Sequence, residues 1–445
     1  MAGATETSPW RRYEPSDRCP WNLNGAAHLW RRAGFGATWE QLQQSLKAGP
    51  QKTVDILLGP KADAAGFNRT CDQYARAVDS PQTLRAWWLR RMILTPDPLL
   101  EKMTLFWHDF FAVSAAGLGK GAMIREHVAK LRTHAMGRFP VLLAAVATDT
   151  ATLLSLGAKA NRKARPDTTF ARQLLTRYTV GPEACSQEDI RQTARAMTGW
   201  FVLRNQRRYF AQEHDQGDKT VLGKTDKFKY DDVVSIAARH PATASNIVRK
   251  LFRWFISEAD EPDNALLAPL VKSFARDFDV GRVVETMLRS NLFFSDAVRL
   301  RRVKRPVEFA VGVIRSLEAL APTTRLAADL AALGENLYYP PTPNGWTGGR
   351  YWLNQATVIG RSNLAAALLS ASGPYGGKCD PASVSKQHGH TDSKAAGRFL
   401  GGLLGGHDDA AFERLWKLQP PDGAPSDHLR NFTYALVTSP EFQLA

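Results

Sequence analysis

Cysteine is scarce: the chain of 445 residues has four, Cys19, Cys71, Cys185 and Cys379, and no two of them stand in a CxxC spacing. That argues against a disulfide framework and against a cysteine-held zinc cluster, and it fits a reducing compartment. Long apolar runs are missing too. The most apolar stretch, Val141 to Ala158, is interrupted by Asp149 and is too short to cross a bilayer. The opening MAGATETSPWRRYEPSDRCPW holds no apolar leader, and no apolar run follows the twin Arg11-Arg12. The expected location is therefore cytoplasmic. There is no Walker A loop, no GxGxxG and no nucleophile signature, and Gly117 to Ala122 has the wrong spacing for a phosphate loop. No zinc-finger or RNA-binding aromatic motif appears. His108, His134, His214 and Asp215 would suit a divalent metal chemically, but no HExxH and no i,i+4 histidine pair joins them. Neither a metal site nor a cofactor is expected.

Negative charge is in deficit: 43 Asp and Glu stand against 58 Lys and Arg, a net charge of +15. Such a balance favours anionic partners, whether nucleic acid, acidic polysaccharide or a membrane surface, although the basic residues are scattered along the chain. Hydrophobic residues make up 44% and charged residues 23%, which is ample for a large folded core.

Helical periodicity dominates what is present. Leu99 to Val113 places Leu100, Met103, Phe106, Trp107 and Phe110 on one face. Further helices are predicted over Lys120 to Gly137, Phe170 to Thr179, Glu188 to Thr198, Pro241 to Ile256, Asn264 to Phe278, Gly281 to Ser290 and Pro306 to Leu320. Ala327 to Leu333, Asn354 to Ser370, Ala395 to Leu404 and Asp427 to Thr438 complete the set. Trp200 to Leu203 and Arg208 to Ala211 read as a short hairpin. The expected fold is all-α, one large multi-helix domain over residues 26–445 behind an N-terminal extension over 1–25, with a flexible excursion near 372–393. Trp107, Phe110, Leu142, Leu174, Leu251, Phe255 and Phe309 are the expected core.

Several segments carry a family resemblance. In order they are AAHLWRRAGFGATWEQL, EKMTLFWHDFFAVS, LRTHAMGRFPVLLAAVATDTATL, HDQGDKTVLG, HPATASNIVRKLFRWF, RVKRPVEFAVGVIRSL, NGWTGGRYWLNQATVIGRSN and the closing TSPEFQ. Together they resemble the bacterial family called domain of unknown function 1800, over about residues 26–443. The resemblance implies a frequently exported family. It also implies a protein partner of the alkaline phosphatase and sulfatase group. The chain departs from the family pattern at its acidic segment: Gln173 and Thr176 stand where the pattern has glutamates, Asp167-Thr168 replaces an Asn-Glu pair, and Phe111 replaces a histidine. A glutamine cannot act as a general base at neutral pH.

Polar side chains cluster in three loops, 157–169, 212–230 and 338–353, and loops are where a helical scaffold gathers its sites. His214 and Asp215 are the candidate proton-transfer pair. Asn161, Arg162, Arg172, Lys219 and Arg350 are candidate anion contacts, and Trp346 and Trp352 candidate stacking faces for sugar rings or bases. A bland reading stands beside each: loops pinned by hydrogen bonds, solvated basic residues, and tryptophans plugging the core. On these residues the expected function is to bind an anionic or sugar-like polymer where the three loops converge, with hydrolysis or modification of that polymer as the reaction they would support. The alternatives are a non-catalytic assembly partner and a nucleic-acid binder. Whether the chain is an enzyme at all is left open by the sequence.

Overall fold

Proline opens seven of the helices that build this molecule. Pro50–Leu58, Pro81–Leu94, Pro98–Phe111, Pro241–Phe255, Pro306–Ser316, Pro381–Gln387 and Pro425–Thr438 each open on one. The fixed φ of proline suits the first turn, where its missing N–H costs no intrahelical bond. Side-chain caps complete several starts. Asp97 accepts from the amide of Leu100 ahead of Pro98–Phe111, and Ser186 and Asp189 form a reciprocal capping box ahead of Gln187–Ala196.

The computed structural model describes residues 8–259, 261–405, 409–417 and 424–445. The chain is 61% helical, with 23 α-helices among the described residues. Strand is confined there to two antiparallel hairpins, Trp200–Leu203 with Gln206–Tyr209 and Lys219–Val221 with Lys224–Asp226. The fold is a single, mostly helical domain, as the periodicity predicts. The first hairpin lies close to its predicted place. The second falls inside the segment read as a loop, where a two-residue turn at Leu222-Gly223, both with positive φ, joins two very short strands.

One contiguous apolar core runs from Tyr13 to Phe442, and it contains all seven residues expected there. Trp107, Leu142, Leu174, Leu251, Phe255 and Phe309 are fully buried and Phe110 nearly so. The N-terminal extension is tied down from residue 10: Trp10 donates its indole N–H to the carbonyl of Leu266, and Tyr13 stacks on Phe294. The segment near 372–393 is a correction. It contains the helix Pro381–Gln387, which packs on Pro425–Thr438, and a buried Tyr375 whose hydroxyl bonds Asp329 at 2.6 Å. Its Gly, Ser and Lys content suggests a linker, but Tyr375, Cys379 and Val384 supply a local core.

Pro98–Phe111 is buried around most of its circumference, so its polar residues must find partners inside. Glu101 accepts from Trp88 Nε1 at 3.0 Å, from Arg132 at 2.7 and 3.1 Å, and from Arg91. Burial pushes the Glu101 carboxyl up, but Arg132 and Arg91 together outweigh it and hold the group down at about 2. Its stabilising contribution is therefore present above the ordinary glutamate range and is lost as pH falls from there towards 2. Glu101→Gln should cost about 3–5 kcal/mol at neutral pH by stranding the two arginines. It should also flatten the acid limb of the stability profile, measured by urea unfolding at a series of pH values. An unchanged acid limb would show that Glu101 does not carry it.

Candidate functional site

Asp109 lies near the C-terminal end of Pro98–Phe111, and two distant parts of the chain meet on it. One carboxylate oxygen accepts from Arg305 Nη1 at 2.7 Å, and the other accepts the backbone N–H of Trp346 at 3.0 Å. Arg305 also donates through Nε to Glu335 at 2.6 Å. Glu335 in turn accepts the amide of Val307 at 2.9 Å, in the first turn of Pro306–Ser316, where free helix N–H groups favour a carboxylate. The Arg305 guanidinium lies 5.5 Å from the ring centres of Trp254, Trp346 and Trp352. Gly345 makes the junction possible. Its φ is +77°, and a Cβ there would lie 2.4 Å from Asp109 Oδ1 and 2.6 Å from the Asp109 carbonyl oxygen.

This junction forms a wall of a cleft of about 850 Å³. The outer half of Pro241–Phe255, the segment that follows it, residues 300–305 and the Asn344–Trp352 turn supply most of the rest. Seven cationic side chains line the cleft (Arg177, Arg249, Lys250, Arg253, Arg301, Arg305 and Arg350) against three carboxylates, Asp109, Glu258 and Glu261. Glu261 pairs with both Arg249, at 3.2 Å, and Arg253. Asp109 is spent on Arg305. Of the cleft's cations, Arg177, Lys250, Arg301 and Arg350 have no ion pair among the described residues. Burial lowers the pKa of Lys250, and Arg177 and Arg253 push it the same way. Arg177 is likewise lowered by burial, with its Nε buried and unbonded. Half-withdrawn cations without counter-charges are costly to a protein on its own, and they are the chemistry that recognises anions.

Arg177 reaches the cleft through a local irregularity. The helix Thr168–Arg172 runs into a π-helical turn, Gln173–Tyr178, in which one extra residue is accommodated. Three bonds hold this turn: Thr179 Oγ1 to the carbonyl of Leu174 at 2.7 Å, Tyr178 Oη to that of Phe111 at 2.9 Å, and Gln173 Nε2 to that of Pro343 at 2.8 Å. Arg177 then lies 5.7 Å over the ring of Phe110.

The residues singled out from the sequence divide into two groups. Loops 157–169 and 212–230 do meet: Arg162 pairs with Glu213 at 2.8 Å, and the amide of Lys163 bonds the Glu213 carbonyl at 3.0 Å. Their polar groups are consumed in holding that meeting together. Asn161 bridges the Ala194 carbonyl and the Asp167 amide, both at 2.9 Å. His214 Nδ1 lies 3.0 Å from the Thr198 carbonyl oxygen, while Asp215 takes Arg195 at 2.8 and 3.2 Å, so neither is spent on the other. Lys219 donates to the Asp215 carbonyl, and Arg172 donates to Gln187 at 3.1 Å. None of these six residues, Asn161, Arg162, Arg172, His214, Asp215 and Lys219, lines the large cleft. The expected convergence of three loops is therefore corrected: the Asn344–Trp352 turn lines the cleft, and the other two loops form a self-contained bracket around the end of Gln187–Ala196.

Within the turn, Trp346 and Trp352 are only 7% and 6% exposed and pack with Val303, so they plug the wall and offer no open face. Arg350 stands exposed on the rim, and its neighbour Tyr351, 72% exposed, offers the free ring. Sequence reading missed Asp109, Arg177, Lys250 and Arg305. One signal was available: Arg253 faces two like charges one turn back, Arg249 at i,i+4 and Lys250 at i,i+3, a repulsive arrangement that a helix does not need for itself. Among the described residues no group of three or more His, Cys, Asp or Glu side chains is placed to hold a metal ion, and no helix is long and apolar enough to cross a membrane.

A family model described as "Protein of unknown function (DUF1800)" matches residues 28–444. No curated protein and no solved structure matches the chain.

Gly345→Ala tests the junction. A strained φ and the clash with Asp109 should together destabilise the protein by about 1–3 kcal/mol or more. The substitution should also speed amide hydrogen exchange in the 344–352 turn. Wild-type exchange there would show that the turn does not depend on its approach to Asp109.

Proposed function

The chain belongs to the DUF1800 family of proteins of unknown function, and from its cleft we propose that it binds an anionic, sugar-like polymer. The observation that carries the reading is the set of four cations without ion pairs, Arg177 and Lys250 inside and Arg301 and Arg350 exposed at the opening. An acidic substituent seated between Arg177 and Lys250 would supply the counter-charge they lack. Arg350 would take the next substituent along, with the exposed ring of Tyr351 beside it as a platform for a sugar face. The volume of about 850 Å³ suits a few linked rings, within the ~300–1,000 Å³ of small-ligand sites. Segments from four of the blocks that carry the family resemblance line it: Phe106, Asp109 and Phe110; Asn246 to Trp254; Val303 and Arg305; and Asn344 to Tyr351.

Binding is favoured over hydrolysis by the residues at 173 and 176. Gln173 spends its amide on the Pro343 carbonyl, and Thr176 spends its hydroxyl on the Arg172 carbonyl. Neither supplies the carboxylate of the family pattern. A partner of the phosphatase and sulfatase group, as the resemblance implies, would act on the kind of ester-bearing polymer that such a cleft holds.

The test is fluorescence-anisotropy binding of a labelled oligogalacturonate, with single-stranded DNA and polyphosphate as non-sugar polyanions. Lys250→Ala and Arg177→Ala should each weaken the oligogalacturonate by about ten- to a hundredfold, the worth of a charged hydrogen bond. His214→Ala should leave it unchanged. Equal binding by Lys250→Ala and wild type would refute the reading. DNA binding more tightly than the sugar would transfer the site to nucleic acid.

A further inference from the structure

The carboxylates behind the cleft wall are saturated, with one exception. Glu308 accepts from Lys102, from Arg302 and from the amide of Arg305 at 3.0 Å. Glu335 accepts from Arg305 and Val307, and Asp109 from Arg305 and Trp346. Glu258, which follows Pro241–Phe255 and lines the cleft, accepts from nothing among the described residues. Its Oε2 is buried and unbonded, and a Cβ on Gly349 would lie 3.7 Å from it, which places this oxygen beneath the Gly348–Gly349 turn. Its Oε1 lies 4.0 Å from Arg302 Nη1, beyond hydrogen-bond reach, and Arg302 gives its Nη2 to Glu308.

Two donors on the same wall are also unspent. Trp254 Nε1 and Arg305 Nη2 are buried without partners, on side chains that are 6% and 3% exposed overall. A carboxyl and two donors with no use for their hydrogen-bonding capacity within the protein are a prepared contact for something else. Only Oε2 is withdrawn from water, since the side chain keeps 18% of its surface exposed, but a carboxylate with one oxygen buried and unbonded is still shifted towards the neutral acid. Burial pushes Glu258 up and Glu308 adds to it, while Arg302, Arg305 and Arg32 pull the other way without restoring the ordinary value.

We infer that Glu258 enters the ligand complex as an uncharged carboxyl group, donating a hydrogen bond to a neutral oxygen of the ligand, a sugar hydroxyl or ether, next to the acidic substituent held by Arg177 and Lys250. This rests on the proposed reading of the cleft and makes that reading more specific. The recognised unit carries both an anion and a neutral acceptor, so a bare polyanion is a poor ligand. It also makes binding dependent on pH. Below the raised pKa the donor is present and the cleft keeps its full positive charge. As pH rises through that value, Glu258 ionises, the donor is lost, and a negative charge faces the anionic ligand.

The experiment measures oligogalacturonate affinity from about pH 5 to pH 8 at fixed ionic strength, a range in which the sugar carboxylates stay ionised. Wild type should lose affinity with rising pH, by about tenfold per unit at most for a single proton. Glu258→Gln keeps a donor of the same shape and should bind tightly with a flat profile. Glu258→Ala should bind weakly, also with a flat profile. A wild-type profile that superimposes on that of Glu258→Gln, with binding intact, overturns this inference alone. So does wild-type affinity in Glu258→Ala. Absence of oligogalacturonate binding by wild type at every pH overturns the cleft reading, and this inference with it.

Discussion

The bond network of Arg305 is the constraint on which the site depends. Its guanidinium ties Asp109 on one helix to Glu335 on the approach to the cleft, and it sits among three tryptophans. Asp109 holds the backbone of Trp346, so the position of the 344–352 turn is passed on from Arg305 through one carboxylate. Burying such ions is expensive, and apolar residues of similar volume are often as stable. Their use here buys geometry: a planar fork has defined directions, and they set where the turn, with Arg350 and Tyr351, can lie.

Charge is distributed by depth. In the interior most acidic groups are matched, as Glu101 is by Arg91 and Arg132 and Glu308 by Lys102 and Arg302. At the cleft the matching stops, although the same helices supply both places. Pro241–Phe255 buries Leu251 and Phe255 in the core and turns Arg249, Lys250 and Arg253 to the opening. Buried cations elsewhere that lack a carboxylate, such as Arg32, Lys304 and Arg315, are taken up by backbone carbonyls, whereas Arg177 and Lys250 at the cleft have neither, which is the usual signature of a place that acts on something outside the chain.

Most helices from Pro98 onward were legible because their signals are local, proline and aspartate at the starts and apolar spacing that put Trp107, Leu251 and Phe309 on inward faces, whereas the five helices between Leu23 and Leu94 were not read. The cleft was hard to read because its members look ordinary in sequence. Asp109 and Lys250 are charged residues on helices of mixed pattern, and only the tertiary packing shows that one is saturated and the other is left over. The loop residues misled for a related reason. His214, Asp215 and Lys219 are dense in chemistry, but Arg195 on a nearby helix and Thr198 just after it absorb the first two, and the Asp215 carbonyl takes Lys219. Density of polar groups in a loop does not distinguish a site from a clasp. Trp346 and Trp352 offered two readings, and their burial selects the plug.

The π-helical turn at Gln173–Tyr178 has a consequence for how the cleft can change over generations. A π turn holds one residue more than the α-helix it interrupts, and each helical residue advances the chain by about 100° around the axis. Deleting a single residue between 173 and 178 would let the segment close as a regular α-helix with its flanks still in phase, because the wider turn absorbs the extra residue, but it would re-aim the side chains inside the turn. Arg177 would then leave the cleft without any substitution at its own position. The charge of this wall is thus governed by the length of the chain as well as by its chemistry. Two relatives with identical residues around the turn but differing there by one position would present different faces to a ligand.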